Sequence, residues 1–122
     1  MEFKENRPIY IQIADHLCDR ILAGTLTGEG RIPSVRETAV EFQVNPNTVV
    51  RSYSHLQEMG IIRNQRGIGY FLTDKAFEET LTLRREEFMR KDLPLLFRTM
   101  ELLKIDREML NRYYDEHRSK KQ

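Results

Sequence analysis

Apolar side chains at Tyr10, Ile13, Ala14, Leu17, Ile21 and Leu22 recur with a period of about 3.6 residues, which predicts a first helix over Pro8–Ala23. Pro8 suits the opening turn, where a missing amide hydrogen costs nothing, and Gly24 suits the stop. Thr25 to Gly30 reads as a loop with Gly28 and Gly30 as its turn residues, and Arg31-Ile32 fits a short strand. Ser34-Val35-Arg36-Glu37 has the form of a capping box: the serine hydroxyl can accept the Glu37 amide while the Glu37 carboxylate reaches back to the Ser34 amide. A second helix over Val35–Phe42 follows, with Val35, Ala39 and Phe42 inward. After a turn at Gln43-Val44, Asn45 caps a third helix and Pro46 takes its first position. That helix runs to about Met59 and stops at Gly60, with Val49, Ser52, Tyr53 and Leu56 as its inner stripe. Ile61–Asn64 and Tyr70–Leu72 read as strands joined by a glycine-bearing hairpin over Gln65–Gly69. Helix, short strand, helix, tight turn, helix and hairpin, in that order, predict a winged helix-turn-helix.

Beyond Thr73 the chain has one proline and no glycine, and its periodicity is helical. Asp74 can cap a helix to about Lys91 with Phe77, Leu81 and Phe88 inward. Asp92 with Leu93-Pro94 can start another, striped by Leu96, Phe97, Met100 and Leu103, and Asp106 a last one carrying Met109, Leu110, Tyr113 and Tyr114. The tail from Arg118 is expected to fray. The expected class is therefore mainly α with a small β-hairpin wing: a winged helix-turn-helix over residues 1–73, then a short α-helical dimerisation segment over residues 74–122. Two or three helices cannot hide this much apolar surface alone; it can pack on the chain's own first helix, but the favoured reading is a two-fold pairing with Phe88, Leu96, Phe97 and Met100 at or near the joint.

Composition narrows the function. The chain has 122 residues, 39% of them hydrophobic and 32% charged. No apolar run approaches the ~20 residues a membrane helix needs, and the polar start Met1-Glu2-Phe3-Lys4-Glu5-Asn6 has no signal-peptide core. With Cys18 as the single cysteine, no intramolecular disulfide or cysteine-rich metal site is expected, and the reading is cytoplasmic. His16, His55 and His117 are scattered over three predicted helices, and no phosphate-binding loop, metal-ligand cluster or nucleophile elbow is present. The expectation is a non-enzyme without metal or cofactor. Net charge is only +1, but between Arg31 and Arg66 five arginines stand against three glutamates. Arginine is the cation best shaped for forked contacts with guanine and phosphate.

A helix-turn-helix offers the start of its second helix to the major groove. Outward residues there are Asn47, Thr48, Val50, Arg51, Ser54 and His55. Asn suits adenine, Arg suits guanine and Val can cover a thymine methyl. Arg36 lies near the same groove, free amides at the starts of helices 2 and 3 can take phosphates, and Arg66-Gly67 at the hairpin tip can reach the minor groove. The candidate DNA-binding residues are Ser34, Arg36, Asn45, Asn47, Thr48, Arg51, Arg66 and Gly67. The expected partners are double-stranded DNA and a second copy of the chain; any small-molecule effector is unknown. The other reading is a winged helix used for protein contacts without DNA binding, which needs no arginine at the recognition-helix start or the wing tip.

Four blocks in order carry a family resemblance: Ile32-Pro33-Ser34-Val35-Arg36-Glu37-Thr38-Ala39, Val44-Asn45-Pro46-Asn47-Thr48-Val49, Leu56-Gln57-Glu58-Met59-Gly60-Ile61-Ile62, and Arg66-Gly67-Ile68-Gly69-Tyr70-Phe71. Together they resemble the GntR family of bacterial regulators over about Arg7–Leu72. Pro8-Ile9-Tyr10-Ile11-Gln12-Ile13 and the Asn45–Val49 run are similar to its YtrA-like subfamily, as is the short helical appendage. The resemblance implies a sequence-specific transcriptional regulator, a repressor binding an inverted-repeat operator as a homodimer, often of genes for an ABC transporter. It implies that Arg36 reads a base, that Asn45, Asn47, Thr48 and Arg51 contact bases or backbone, and that Arg66 and Gly67 form the wing tip. The chain departs from the family at Gln43, where glycine is frequent, so a positive φ there would carry strain. It departs again at Ser52, where alanine is usual, so the hydroxyl needs a partner such as a main-chain carbonyl one turn back.

Overall fold

The computed structural model describes residue 3 and residues 6–26 and 30–121. Gly28, expected as a turn residue, lies outside them, as do Gln122 and most of the polar N-terminus. The chain forms two compact units, Met1–Leu83 and Arg84–Gln122.

In the first unit, helix α1 (Ile9–Ala23) starts after Pro8 and ends on Gly24, whose φ of 78° closes the last turn with bonds to the Arg20 and Ile21 carbonyls. Helices α2 (Val35–Phe42) and α3 (Pro46–Glu58) follow, and α1 and α2 both pack on α3. Strands β1 (Ile62–Gln65) and β2 (Gly69–Leu72) pair antiparallel, with Ile62 opposite Leu72 and Gln65 opposite Gly69. The expected strand at Arg31-Ile32 is reduced to a single bridge from Arg31 to Phe71. The core joins the stripes read from the sequence: Ile13, Leu17 and Ile21 of α1, Ala39 and Phe42 of α2, and Val49, Tyr53 and Leu56 of α3. Ile32, Ile61 and Ile62 close it from the wing side. Thr38 is buried on α2 where Val35 was expected to be the third inward residue; Val35 is only partly covered. An ion pair from Arg20 to Glu41 ties α1 to α2.

Helix α4 (Ala76–Glu87) begins two residues beyond Asp74, which makes no capping bond among the described residues. Its buried residues are Ala76 and Thr80; Phe77, expected inward, is about half exposed. In the second unit, the helix break expected at Lys91-Asp92 does not occur. Glu87, Asp92 and Leu93 all keep right-handed helical backbone, and a π-helical turn (Phe88–Asp92) leads directly into α5 (Leu93–Leu103). Pro94 explains the wide turn. It has no amide hydrogen, and its ring would strike the carbonyl of Arg90 in a regular α-helix. The chain widens instead, and the Leu93 amide donates to the Phe88 carbonyl five residues back. The real stop is Lys104, at φ 58° and ψ 38°. Asp106 caps α6 (Arg107–Lys120), its carboxylate accepting the Met109 amide at 2.9 Å. The tail expected to fray is thus helical to Lys120, and Tyr113 and Tyr114 on this last helix are exposed. Met100 is 8% exposed, whereas Phe88, Leu96 and Phe97 are 47%, 39% and 49% exposed.

Candidate nucleic-acid interface

The candidate residues read from the sequence fall at the start of α2, the start of α3 and the tip of the hairpin. Both arms of the capping box form: the Glu37 amide donates to Ser34 Oγ and the Ser34 amide to Glu37 Oε1, each at 3.1 Å. The Ser34 amide, then the Ser34 hydroxyl, hold the Glu37 carboxyl below its ordinary value. Gln43 closes α2 at φ 55° and ψ 50°, the left-handed geometry anticipated where glycine is frequent. Asn45 then caps α3, its Oδ1 accepting the Asn47 amide at 2.8 Å.

These caps correct one expectation. The Asn47 amide is used by Asn45 Oδ1, the Thr48 amide by the Asn45 carbonyl at 2.9 Å, and Pro46 has none. The first turn of α3 therefore has little main-chain amide left for a phosphate. On α2 the capping box uses only the outer two amides, and those of Val35 and Arg36 have no helical partner.

Two buried hydroxyls lock these starts together. Tyr53, fully buried on α3, donates from its hydroxyl to the Pro33 carbonyl at 2.7 Å. That carbonyl can only accept, so the 2.7 Å contact between Tyr53 and the Thr38 hydroxyl must be donated by Thr38. The chain just before α2 is thereby pinned to the middle of α3. Burial pushes the Tyr53 hydroxyl up to about 12. Ser52 finds the carbonyl one turn back that was expected, Thr48 at 3.2 Å, and a nearer one on α1, Tyr10 at 2.7 Å. With this bond a departure from the family pattern becomes a tie between α1 and α3.

On the outer face, Arg36, Asn47, Val50, Arg51 and Ser54 are exposed, while Thr48 and His55 are half-buried. Arg36 forms no ion pair among the described residues. Arg51 is held differently from the solvated side chain that an exposed position suggests: its guanidinium carbon sits 4.0 Å from the centre of the Tyr10 ring. His55 meets the same ring edge to face at 6.1 Å.

The wing tip is Arg66-Gly67. The Ile68 amide bonds the Gln65 carbonyl at 2.9 Å, and Gly67 takes φ 80°, which the third position of such a turn requires. Arg31, not singled out from the sequence, braces it. Its guanidinium donates to the Ile68 carbonyl at 3.1 Å and lies against Gly69, where a Cβ would come within 3.4 Å of Arg31 Nε. Arg63 lies over Phe71 on β2 at 5.1 Å and donates to Gln65. The only available signal for Arg31 was its place opposite the hairpin; for Tyr10 it was an aromatic at the edge of the α1 stripe.

The helix order, the two capped helix starts and the braced wing occupy one continuous stretch, and residues 9–72 match the bacterial regulatory proteins of the gntR family. The chain belongs to the GntR family. It is 36% identical over 107 residues to the HTH-type transcriptional regulator YhcF of Bacillus subtilis (strain 168), covering 88% of this chain and 87% of that one. It is 31% identical over 106 residues to the HTH-type transcriptional repressor YtrA of the same organism, covering 84% and 82%. A solved structure assigned to the GntR family, from Bacteroides thetaiotaomicron, superposes with a TM-score of 0.76 at 43% identity, over 93% of this chain and 99% of that one. The likeness to YtrA extends well past the winged helix and places the chain in the YtrA-like branch. This GntR protein is a DNA-binding transcriptional regulator with a winged helix-turn-helix. None of its described helices is long and apolar enough to cross a membrane.

Proposed function

We propose that this regulator acts in the cytoplasm as a homodimeric repressor of an inverted-repeat operator, with residues 1–73 on DNA and residues 74–122 joining the copies. The α3 start lies in the major groove, where Asn47, Thr48 and Arg51, with Arg36 from α2, meet base edges or backbone; Ser34 and Asn45 set the two helix starts, and Arg66-Gly67 enters the minor groove. The supporting observation is the exposed pair Arg36 and Arg51, neither of them in an ion pair among the described residues. With no ion partner among those residues, their guanidinium donors are open to base edges and phosphate oxygens. The YtrA repressor supports the sign of regulation by likeness. Pairing is supported by Phe88, Leu96 and Phe97, which leave large apolar side chains partly exposed, while Met100 in the same helical stretch is buried.

Sedimentation of the full chain with a fluorescent operator duplex tests this reading. Two chains per duplex, with affinity falling steeply as salt rises, is the expected result, because phosphate neutralisation releases counterions. A single chain per duplex, or binding indifferent to salt, would refute it.

A further inference from the structure

We infer that Tyr10, on the first turn of α1, is the positioning residue for the DNA-reading Arg51, holding its guanidinium ready before DNA arrives; this rests on the reading of Arg51 given above. Three observations carry it. First, the Arg51 guanidinium lies 4.0 Å from the Tyr10 ring centre, well inside the roughly 6 Å reach of a cation–π contact. Second, the contact is with a ring and leaves the guanidinium N–H donors without a hydrogen bond or ion pair among the described residues, so the fork stays available. Third, Tyr10 is itself fixed to α3. Its carbonyl accepts the hydroxyl of Ser52, the residue after Arg51, at 2.7 Å, and its ring meets His55 edge to face one turn on.

The consequence is a division of labour. Arginine has many rotamers, and ordering a free one on DNA subtracts from the contact it makes. A guanidinium already stacked has lost part of that freedom. Tyr10 need touch no base; it sets where the arginine fork begins. A cation–π contact at an exposed site is worth about 0.5–1 kcal/mol, which converts to about a 2- to 5-fold effect on binding.

The experiment compares affinity for the operator and for a scrambled duplex across Tyr10→Leu, Tyr10→Phe, Arg51→Ala and the Tyr10→Leu/Arg51→Ala pair. Expected is a specificity ratio about 2- to 5-fold lower for Tyr10→Leu, near wild type for Tyr10→Phe, and no further loss when Tyr10→Leu is added to Arg51→Ala. If Arg51→Ala costs specificity but Tyr10→Leu does not, or costs the same factor with Arg51 absent, the positioning role is overturned while the reading surface stands. If Arg51→Ala itself leaves the ratio intact, the reading surface falls and the inference with it. The wild-type chain gives an independent check that needs no variant to fold. In its NMR spectrum the Arg51 side-chain protons should be shifted upfield by the ring current of Tyr10, and ordinary shifts would overturn the stack.

Discussion

Tyr53→Phe removes one oxygen from the core of the first unit, and its cost follows from the bonds around that oxygen. The hydroxyl donates to the Pro33 carbonyl and accepts from Thr38, both at 2.7 Å, in a residue with no solvent exposure. Two net hydrogen bonds are worth about 1 kcal/mol each. The orphaned Pro33 carbonyl adds about 1 kcal/mol more, while the Thr38 hydroxyl can turn to the carbonyl one turn back on α2 and recover part of its loss. The expected destabilisation is about 2–3 kcal/mol. Thr38→Val alone leaves the bond to Pro33 intact and should cost about 1 kcal/mol. The double substitution should cost less than the sum, since both remove the same Thr38–Tyr53 bond. Urea unfolding at fixed chain concentration measures this as a lower midpoint at unchanged slope. Because Pro33 stands immediately before the α2 cap, the variant should also loosen the position of Arg36 and lower discrimination between operator and scrambled DNA. A Tyr53→Phe chain within about 0.5 kcal/mol of wild type, the scatter of an ordinary surface substitution, would refute the hydroxyl bridge as the pin between α2 and α3.

Other outcomes follow from the same geometry. Arg36→Ala and Arg51→Ala should each weaken operator binding by about 1–3 kcal/mol and relax sequence preference, as measured by fluorescence anisotropy on matched and scrambled duplexes; two folded variants with the full ratio would move the reading surface elsewhere. Arg66→Ala should lower affinity for many sequences alike and flatten the salt dependence, since a wing-tip arginine mostly meets phosphate and groove potential. Tyr53 titrates at about 12 in the fold against 10.0 ordinarily, so its folded value is the raised one. Its contribution to stability is whole below pH 10 and is lost between pH 10 and about 12, on the order of 3 kcal/mol, which unfolding midpoints across that window would register.

Local chemistry was legible in the sequence where a residue type has one physical use. The Ser34–Glu37 spacing forms its capping box, Ser52 finds a carbonyl one turn back, and Asp106 caps the last helix, whereas the left-handed geometry of Gln43 was legible only through the family resemblance, since glutamine itself does not favour it. Periodicity also gave the core of the three packed helices, because the buried stripe of each is what repeats. Readings failed where two segments decide together. The stack of Arg51 on Tyr10 joins residues 41 positions apart in sequence and depends on how α1 crosses α3, which no local window contains. The Asp92-Leu93-Pro94 signal for a new helix was overridden because the residues before it favour helix, and a π-helical turn absorbs the proline without ending it. Free amides at α3 were expected from helix ends in general; Asn45 had already used them.

In the proposed mechanism two copies of α3 read duplex DNA in sequence. Repeated selection of bound fragments from random duplex DNA by the full-length chain tests it most directly. One enriched motif is expected, an inverted repeat whose half-sites lie about one helical turn, roughly 10 base pairs, apart, together with the loss of its most constrained position when Arg51→Ala is used in place of the wild type. A pool that stays random after many rounds, or one that converges on an unrepeated site unchanged by Arg51→Ala, would contradict it.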